Sequence, residues 1–154
     1  MMKIKVGDTA KDFRLKDHQD REVTLKGLPG KKVLLSFHPL AWTRVCAEQM
    51  KSLETNLKKF SELNTVPLGI SVDPVPSKKA WASELGIEKT SFLCDFWPHG
   101  QVASDFGIFI EEKGISERAN IIIDEKGKVV FMKIYPISEL PDIEEIIEEL
   151  GKYK

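Results

Sequence analysis

Two cysteines carry the chemical potential of this sequence, and they stand in different surroundings. Cys46 ends the run Pro39-Leu40-Ala41-Trp42-Thr43-Arg44-Val45-Cys46, whereas Cys94 ends Thr90-Ser91-Phe92-Leu93-Cys94. A cysteine is a nucleophile only as a thiolate. Free backbone N–H groups, the positive end of a helix and nearby cations all favour that form. The apolar run over 33–37 predicts a strand. Pro39 stops it, because proline lacks an N–H and disfavours helix at the residue before it. Thr43 is a good helix N-cap. Beyond it, Cys46, Met50, Leu53, Leu57 and Phe60 recur at spacings of four, three, four and three. That is the stripe of one helix face, and it predicts a helix over 43–63. Cys46 then falls in the first helical turn, facing inward, with Arg44 as a neighbouring cation. The same stripe allows a plainer reading, in which Cys46 is a small buried hydrophobe.

Composition narrows the function classes. The chain has 154 residues, a size that predicts a single domain over 1–154. Its charged residues nearly cancel, leaving a net charge of −1, so nothing draws it to nucleic acid or to an anionic membrane. Met1 to Asp8 contain no apolar signal core, and no stretch reaches transmembrane length, which predicts a cytoplasmic protein. In that compartment two cysteines 48 positions apart are more often catalytic or free than a structural bridge. They form no Cys-x-x-Cys, which disfavours a thioredoxin-type disulfide oxidoreductase. The three histidines are dispersed, so no metal or other cofactor is expected.

The elements that must position these residues read as an α/β chain. Phe13-Arg14-Leu15 and Glu22-Val23-Thr24-Leu25 flank polar Asp17-His18-Gln19-Asp20, which predicts an N-terminal hairpin. Strands follow over 32–38 and 66–72, the second with Pro67 at its start. Ser77 opens a helix that runs through Ala80, Trp81 and Leu85 and is closed by Gly86. A short strand over 90–94 leads to the loop Asp95-Phe96-Trp97-Pro98-His99-Gly100 and a short helix with Val102, Ala103 and Phe106. Strands over 119–124 and 128–134 are joined by the turn Glu125-Lys126-Gly127. Pro141-Asp142 starts a last helix with Ile143, Ile146, Ile147 and Leu150 inward. This order predicts a mixed central sheet flanked by helices.

The pattern Pro39-x-x-x-Thr43-x-x-Cys46 after a hydrophobic strand resembles the active-site signature of the peroxiredoxins, the thiol peroxidases of the AhpC/TSA family. The resemblance covers nearly the whole chain. It implies a thioredoxin-like fold preceded by an N-terminal hairpin. It implies reduction of hydrogen peroxide and organic hydroperoxides by a Cys46 thiolate, which becomes a sulfenic acid. An external thiol, such as a thioredoxin- or glutaredoxin-like protein, then regenerates it. The family also supplies an arginine at the start of the strand after an extended loop. Gly114-Ile115-Ser116-Glu117-Arg118-Ala119-Asn120 looks like that segment, so Arg118 takes the role by resemblance; otherwise it is an ordinary surface charge. Thr43 would orient thiolate and peroxide besides capping the helix, and Pro39 would shield the sulfur. The Asp95-to-Gly100 block resembles the alkyl hydroperoxide reductase E type, with broader similarity to the bacterioferritin-comigratory group. By family a homodimer or higher homo-oligomer is expected, and such a Trp-Pro loop either packs locally or marks an interface.

Some positions depart from the family pattern. His38 stands where an aromatic residue is common and reads best as a packed ring. Ala47 and Gln49 are uncommon after the reactive cysteine, and Gln49 keeps hydrogen-bonding capacity without charge. Two other function classes stay open: a peroxide sensor that passes its oxidation to a partner, and a cysteine hydrolase, which needs a histidine base beside Cys46. Cys94 is the candidate resolving cysteine of a two-cysteine variant. By the family's strand order its strand lies two places from the strand ending at His38. Two strand spacings are about 10 Å, whereas bridged cysteines need Cα atoms within about 7 Å. The expectation is therefore that Cys94 is not obligatory.

Overall fold

The computed structural model describes residues 3–153. Its order begins with β1 (Arg14–Asp17), β2 (Glu22–Thr24), β3 (Lys32–Phe37), α1 (Arg44–Thr55) and α2 (Leu57–Glu62). It continues through β4 (Thr65–Ser71), α3 (Val75–Leu85), β5 (Ser91–Cys94) and α4 (Gln101–Asp105). The last elements are β6 (Phe109–Ile110), β7 (Ile115–Ser116), β8 (Arg118–Ile123), β9 (Val129–Tyr135) and α5 (Ile143–Gly151). Seven strands form one mixed sheet in the order β2-β1-β5-β4-β3-β8-β9. The centre, β3 with β4 and β4 with β5, is parallel, while β1, β8 and β9 join antiparallel. Helices cover both faces. This is the mixed sheet flanked by helices, with an N-terminal hairpin, that the element order predicts, in the thioredoxin-like arrangement that the resemblance implies.

Alternation along the strands sorts the core into two layers. Val33, Leu35 and Phe37 of β3 join Leu68, Ile70, Leu93, Ile121 and Phe106 on one face. Leu34 joins Met50, Leu53, Phe60, Trp81, Phe92, Ile122, Ile146 and Leu150 on the other. Cys46 belongs to this second layer, so its chemistry lies between the sheet and α1, α3 and α5. Gly69 of β4 lets α1 lie close: a Cβ there would meet the Met50 sulfur and come within 3.2 Å of the Phe92 ring.

Four features differ from the sequence reading. The helix predicted over 43–63 breaks at Asn56. Its side-chain Nδ2 donates to the Ser52 carbonyl at 2.8 Å, the acceptor its own backbone N–H would take in a continuous helix. That N–H turns to Leu53 O instead. The next helix starts at Val75, not Ser77. Pro74 sits at its N-cap and Pro76 in its first turn, where a missing N–H costs nothing. The two-residue β6–β7 ladder was not expected, and β8 begins one residue early, at Arg118 itself. Gly86 does end α3, in the left-handed conformation, with φ of 72°.

Candidate active site

β3 delivers the chain to the site and the following loop turns it into α1. Four tethers hold that loop. His38 N–H donates to Ile70 O at 3.0 Å. Ala41 N–H donates to Asp73 Oδ2 at 2.8 Å, Trp42 Nε1 to Ser77 Oγ at 3.1 Å, and Thr43 Oγ1 to Leu40 O at 3.0 Å. Trp42 adopts φ of 68°. A left-handed backbone costs a bulky residue about 1–3 kcal/mol and persists only where the surroundings over-determine it. The tethers on either side of Trp42 supply that constraint. Pro39 is buried at the end of β3.

Thr43 occupies the N-cap of α1 with extended backbone, but its hydroxyl does not cap a helix N–H. It donates to Leu40 O, which leaves its oxygen lone pairs on an exposed side chain. The first N–H to find a helical acceptor is that of Ala47, on Thr43 O. The N–H groups of Arg44, Val45 and Cys46 thus remain at the open helix end. Cys46 is the third helical residue and is wholly buried. Arg44 is exposed, and the hydrogen bond to the sulfur comes instead from Arg118.

Arg118 is 2% exposed, the first residue of β8, directly across from Tyr135. Its Nη1 lies 3.4 Å from Cys46 Sγ and 2.6 Å from Gln49 Oε1, while Nε and Nη2 both donate to Ile137 O, at 2.9 and 2.7 Å. Among the described residues no carboxylate pairs with it. A buried guanidinium without an anion is costly, and the sulfur is the partner able to become one. Gln49 is the keystone that sequence reasoning left without a role. One turn beyond Cys46, it accepts from Arg118, and its Nε2 donates to Ser36 Oγ at 2.7 Å and to Phe37 O at 3.2 Å. A polar side chain on an otherwise apolar helix stripe was the available signal. Asn120, opposite Ser36 in the β3–β8 ladder, leaves its buried Oδ1 without a hydrogen-bond partner.

His38 is buried against Trp81 and Phe92, with ring centroids 5.4 and 6.3 Å away. Burial, reinforced by the Lys78 charge, holds it well below the usual imidazole range, so it is neutral. Its Nε2 contacts Lys78 Nζ and its Nδ1 lies 3.4 Å from Ser36 O. Packing is therefore only part of its role. His99 is engaged by Phe96 O and Gly114 O. Neither ring is hydrogen-bonded to Cys46, so the hydrolase reading has no base.

Cys94 lies apart from this group, at the end of β5, paired in register with Ser71 and two strands from β3. Both cysteines are free. Burial pushes the Cys94 thiol up to about 12, so it is inert as a nucleophile at neutral pH. Beyond it, buried Asp95 accepts from the N–H groups of Val102 and Ala103 at 3.0 and 2.9 Å and fixes α4. Phe96 and Trp97 of the same loop are exposed, Trp97 at 81%.

One charged donor, Arg118, thus meets a buried sulfur at an open helix end. That arrangement suits a thiolate attacking a bond whose cleavage leaves negative charge behind. The sequence signature of the AhpC/TSA family matches residues 6–132. The chain is 39% identical over 140 residues to alkyl hydroperoxide reductase E of Mycobacterium tuberculosis, which covers 90% of this chain and 91% of that protein. It is 31% identical over 147 residues to the mitochondrial thioredoxin-dependent peroxide reductase of Drosophila melanogaster, covering 90% and 61%. The crystal structure of Enterococcus faecalis AhpC matches the fold with a TM-score of 0.90 at 25% identity, over 99% of this chain and 93% of that one. The chain belongs to the AhpC/TSA family, the peroxiredoxins, and is a thiol-dependent peroxidase.

Proposed function

We propose that Cys46 is the cysteine that attacks the peroxide and that Thr43, Arg118 and Pro39 serve it. One observation carries this assignment: the Arg118 guanidinium, buried and without a carboxylate, donates to Cys46 Sγ at 3.4 Å. The Cys46 thiolate attacks one oxygen of the O–O bond of hydrogen peroxide or an organic hydroperoxide. An S–O bond forms as the O–O bond breaks, and the departing oxide takes a proton to leave as water or alcohol. Arg118 and the free N–H groups at the start of α1 meet the charge on the departing oxygen. The Thr43 hydroxyl orients the peroxide, and Pro39 closes the sulfur off from bulk water. The product is a Cys46 sulfenic acid.

Regeneration takes two external thiols. The first condenses with the sulfenic acid, forming a mixed disulfide and releasing water. The second attacks that disulfide and frees Cys46. A thioredoxin- or glutaredoxin-like protein fits this step, as the name of the Drosophila relative suggests. Cys94 is not required, a reading supported by its inert thiol and its place two strands away. The same reading takes residues 1–154 as one domain, since the sheet is threaded by strands from Arg14 to Tyr135. It takes the protein as cytoplasmic, in keeping with two unbridged cysteines. It also takes it as a homodimer or larger homo-oligomer, with exposed Leu40, Trp42, Phe96 and Trp97 as the apolar side chains an interface would cover.

The test is peroxide consumption with an added thiol reductant, together with mass spectrometry after one equivalent of peroxide. Wild-type protein gains one oxygen at Cys46, and Cys46→Ser consumes no peroxide. A Cys46→Ser protein that works at the wild-type rate refutes the assignment.

A further inference from the structure

Resting on the reading of Cys46 as the attacking thiolate, we propose that Lys78 is a positioning residue of the reaction: its buried ammonium, held by His38 and Ser71, is a second fixed cation that acts with Arg118 to hold Cys46 as a thiolate.

Lys78 lies in α3 and is wholly buried. A lysine ammonium is a compact, strongly hydrated charge that is almost never fully buried unless an anion compensates it. Its contacts are all neutral. Nζ meets His38 Nε2, donates to Ser71 Oγ at 2.7 Å, and stands over the Trp81 and Phe92 rings at 5.1 and 5.0 Å. Asp73 is one hydroxyl removed, and its Oδ2 already accepts from Ser71 Oγ and from Ala41 N–H. Besides Asp73, the acids whose negative charge would support the ammonium are Cys94 and Cys46. Burial keeps Cys94 protonated, since its thiol is pushed up to about 12. Cys46 remains as the group able to add a second negative charge to that of Asp73.

The sheet puts these groups in one row. Phe37 pairs with Ala119, so continuing that antiparallel register sets His38 opposite Arg118. Ser71 pairs with Cys94 on the other side. By alternation, His38 and Arg118 share the face of Leu34 and Ser36, the face that carries Cys46, Trp81 and Phe92. The neutral His38 ring therefore stands between two buried cations. The same chain of contacts runs from Lys78 through Ser71 and Asp73 to Ala41 N–H, so it also ties down the Pro39-to-Thr43 loop.

His38 from the end of β3 and Ser71 from β4 touch the Lys78 ammonium, while Asp73 from the loop after β4, Cys94 from β5 and Cys46 from α1 lie within reach of its charge. His18, in the turn after β1, is within reach of its charge, and Arg118 of β8 lies beyond the His38 ring. Burial draws the Lys78 ammonium down to about 8, so its charge can be titrated in the folded protein. The charge is present below that pH and is lost above it.

The experiment compares wild-type protein with Lys78→Met, which keeps the stem and removes the charge. Two quantities are read: the single-turnover rate of Cys46 oxidation by hydrogen peroxide, and the pH profile of Cys46 alkylation by iodoacetamide, followed by peptide mass spectrometry. Lys78→Met should oxidise about tenfold more slowly, and its alkylation profile should move up by about one pH unit, the shift that matches a tenfold smaller thiolate fraction. A merely structural lysine would alter the melting temperature and leave the alkylation profile in place. A folded Lys78→Met protein with wild-type rate and profile overturns the proposal. Should that variant fail to fold, Lys78→Gln, which keeps a hydrogen-bond donor for Ser71 without the charge, is read in the same two assays, and a folded Lys78→Gln protein with wild-type rate and profile overturns the proposal. If wild-type protein is not oxidised at Cys46 at all, the functional reading fails and this inference with it. If only Lys78→Met matches wild type, the functional reading stands alone.

Discussion

Replacing Arg118 by lysine separates the charge of the site from its geometry. The guanidinium makes four hydrogen bonds through three nitrogens: Nη1 to Cys46 Sγ and Gln49 Oε1, Nε and Nη2 to Ile137 O. Lysine keeps the cation but has one nitrogen and no planar fork. It cannot serve the sulfur, Gln49 and Ile137 O from the positions the fork occupies. Removing one oriented donor from a site of developing negative charge costs about 10²–10³ in rate, or about 2.7–4 kcal/mol. Arg118→Lys should therefore slow Cys46 oxidation by about 100- to 1000-fold. Ile137 is 42% exposed, so water can replace the fork at its carbonyl, and the accompanying stability loss should be about 0.5–1.5 kcal/mol. The rate is read by stopped-flow fluorescence in a single turnover with hydrogen peroxide, and folding by circular dichroism. A folded Arg118→Lys protein that oxidises at the wild-type rate would refute the reasoning, because charge alone would then suffice.

Other perturbations test other parts of the structure. Cys94→Ser should leave Cys46 oxidation at the wild-type rate, and wild-type protein treated with one equivalent of peroxide should gain an oxygen; a rapid, quantitative Cys46–Cys94 linked peptide within one monomer would contradict this. Gly69→Ala forces a Cβ against Met50 and Phe92, and overpacking of this kind should cost about 1–3 kcal/mol, read from urea denaturation; an unchanged midpoint would mean that α1 does not need that close approach. Burial pushes the Asp95 carboxyl up to about 6, from an ordinary value of about 3.9. The folded state then holds the extra proton between those values, so this group's contribution to stability is full below the lower one and is lost as pH rises through about 6. Asp95→Asn should remove that part of the pH dependence, measured as the wild-type-minus-variant difference in unfolding free energy across the window. A constant difference would refute it.

Much of the fold was legible because local periodicity and the buried layers agree. The run over 33–37 is apolar on both faces but for Ser36, and the structure buries both, as expected for a central strand covered on each side. The α5 stripe also held, with Asp142 as a cap accepting from Glu144 N–H. The misplaced boundaries have local causes that a hydrophobic period does not register. Asn56 competes with its own backbone for the Ser52 carbonyl, and Leu57 and Phe60 continue the apolar stripe past the break. Pro74 and Pro76 read as loop residues, yet both sit where a helix start tolerates proline. The β6–β7 ladder is two residues long on each side, below the length at which alternation is visible.

The site was legible where its residues are close in sequence and dark where they meet across strands. Pro39, Thr43 and Cys46 lie within eight residues, so strand end, cap and helix turn could be placed by spacing. Arg118 was reached by family resemblance, because no local pattern says that an arginine opening a strand faces a sulfur 72 positions away. Lys78 is the harder case. In Lys78-Lys79 it looks like half of a solvated pair, but Trp81 and Ala82, three and four residues on, are buried with it. Helical periodicity thus places Lys78 on the inward face. Periodicity assigns a side chain to a face, whereas its neighbours on that face are set by strand register, which the long crossovers leave undetermined. The contacts of Lys78, His38 and Arg118 follow only once β3, β4 and β8 are aligned. For that reason the buried charges of this site, unlike its cysteine, had to be read from the structure.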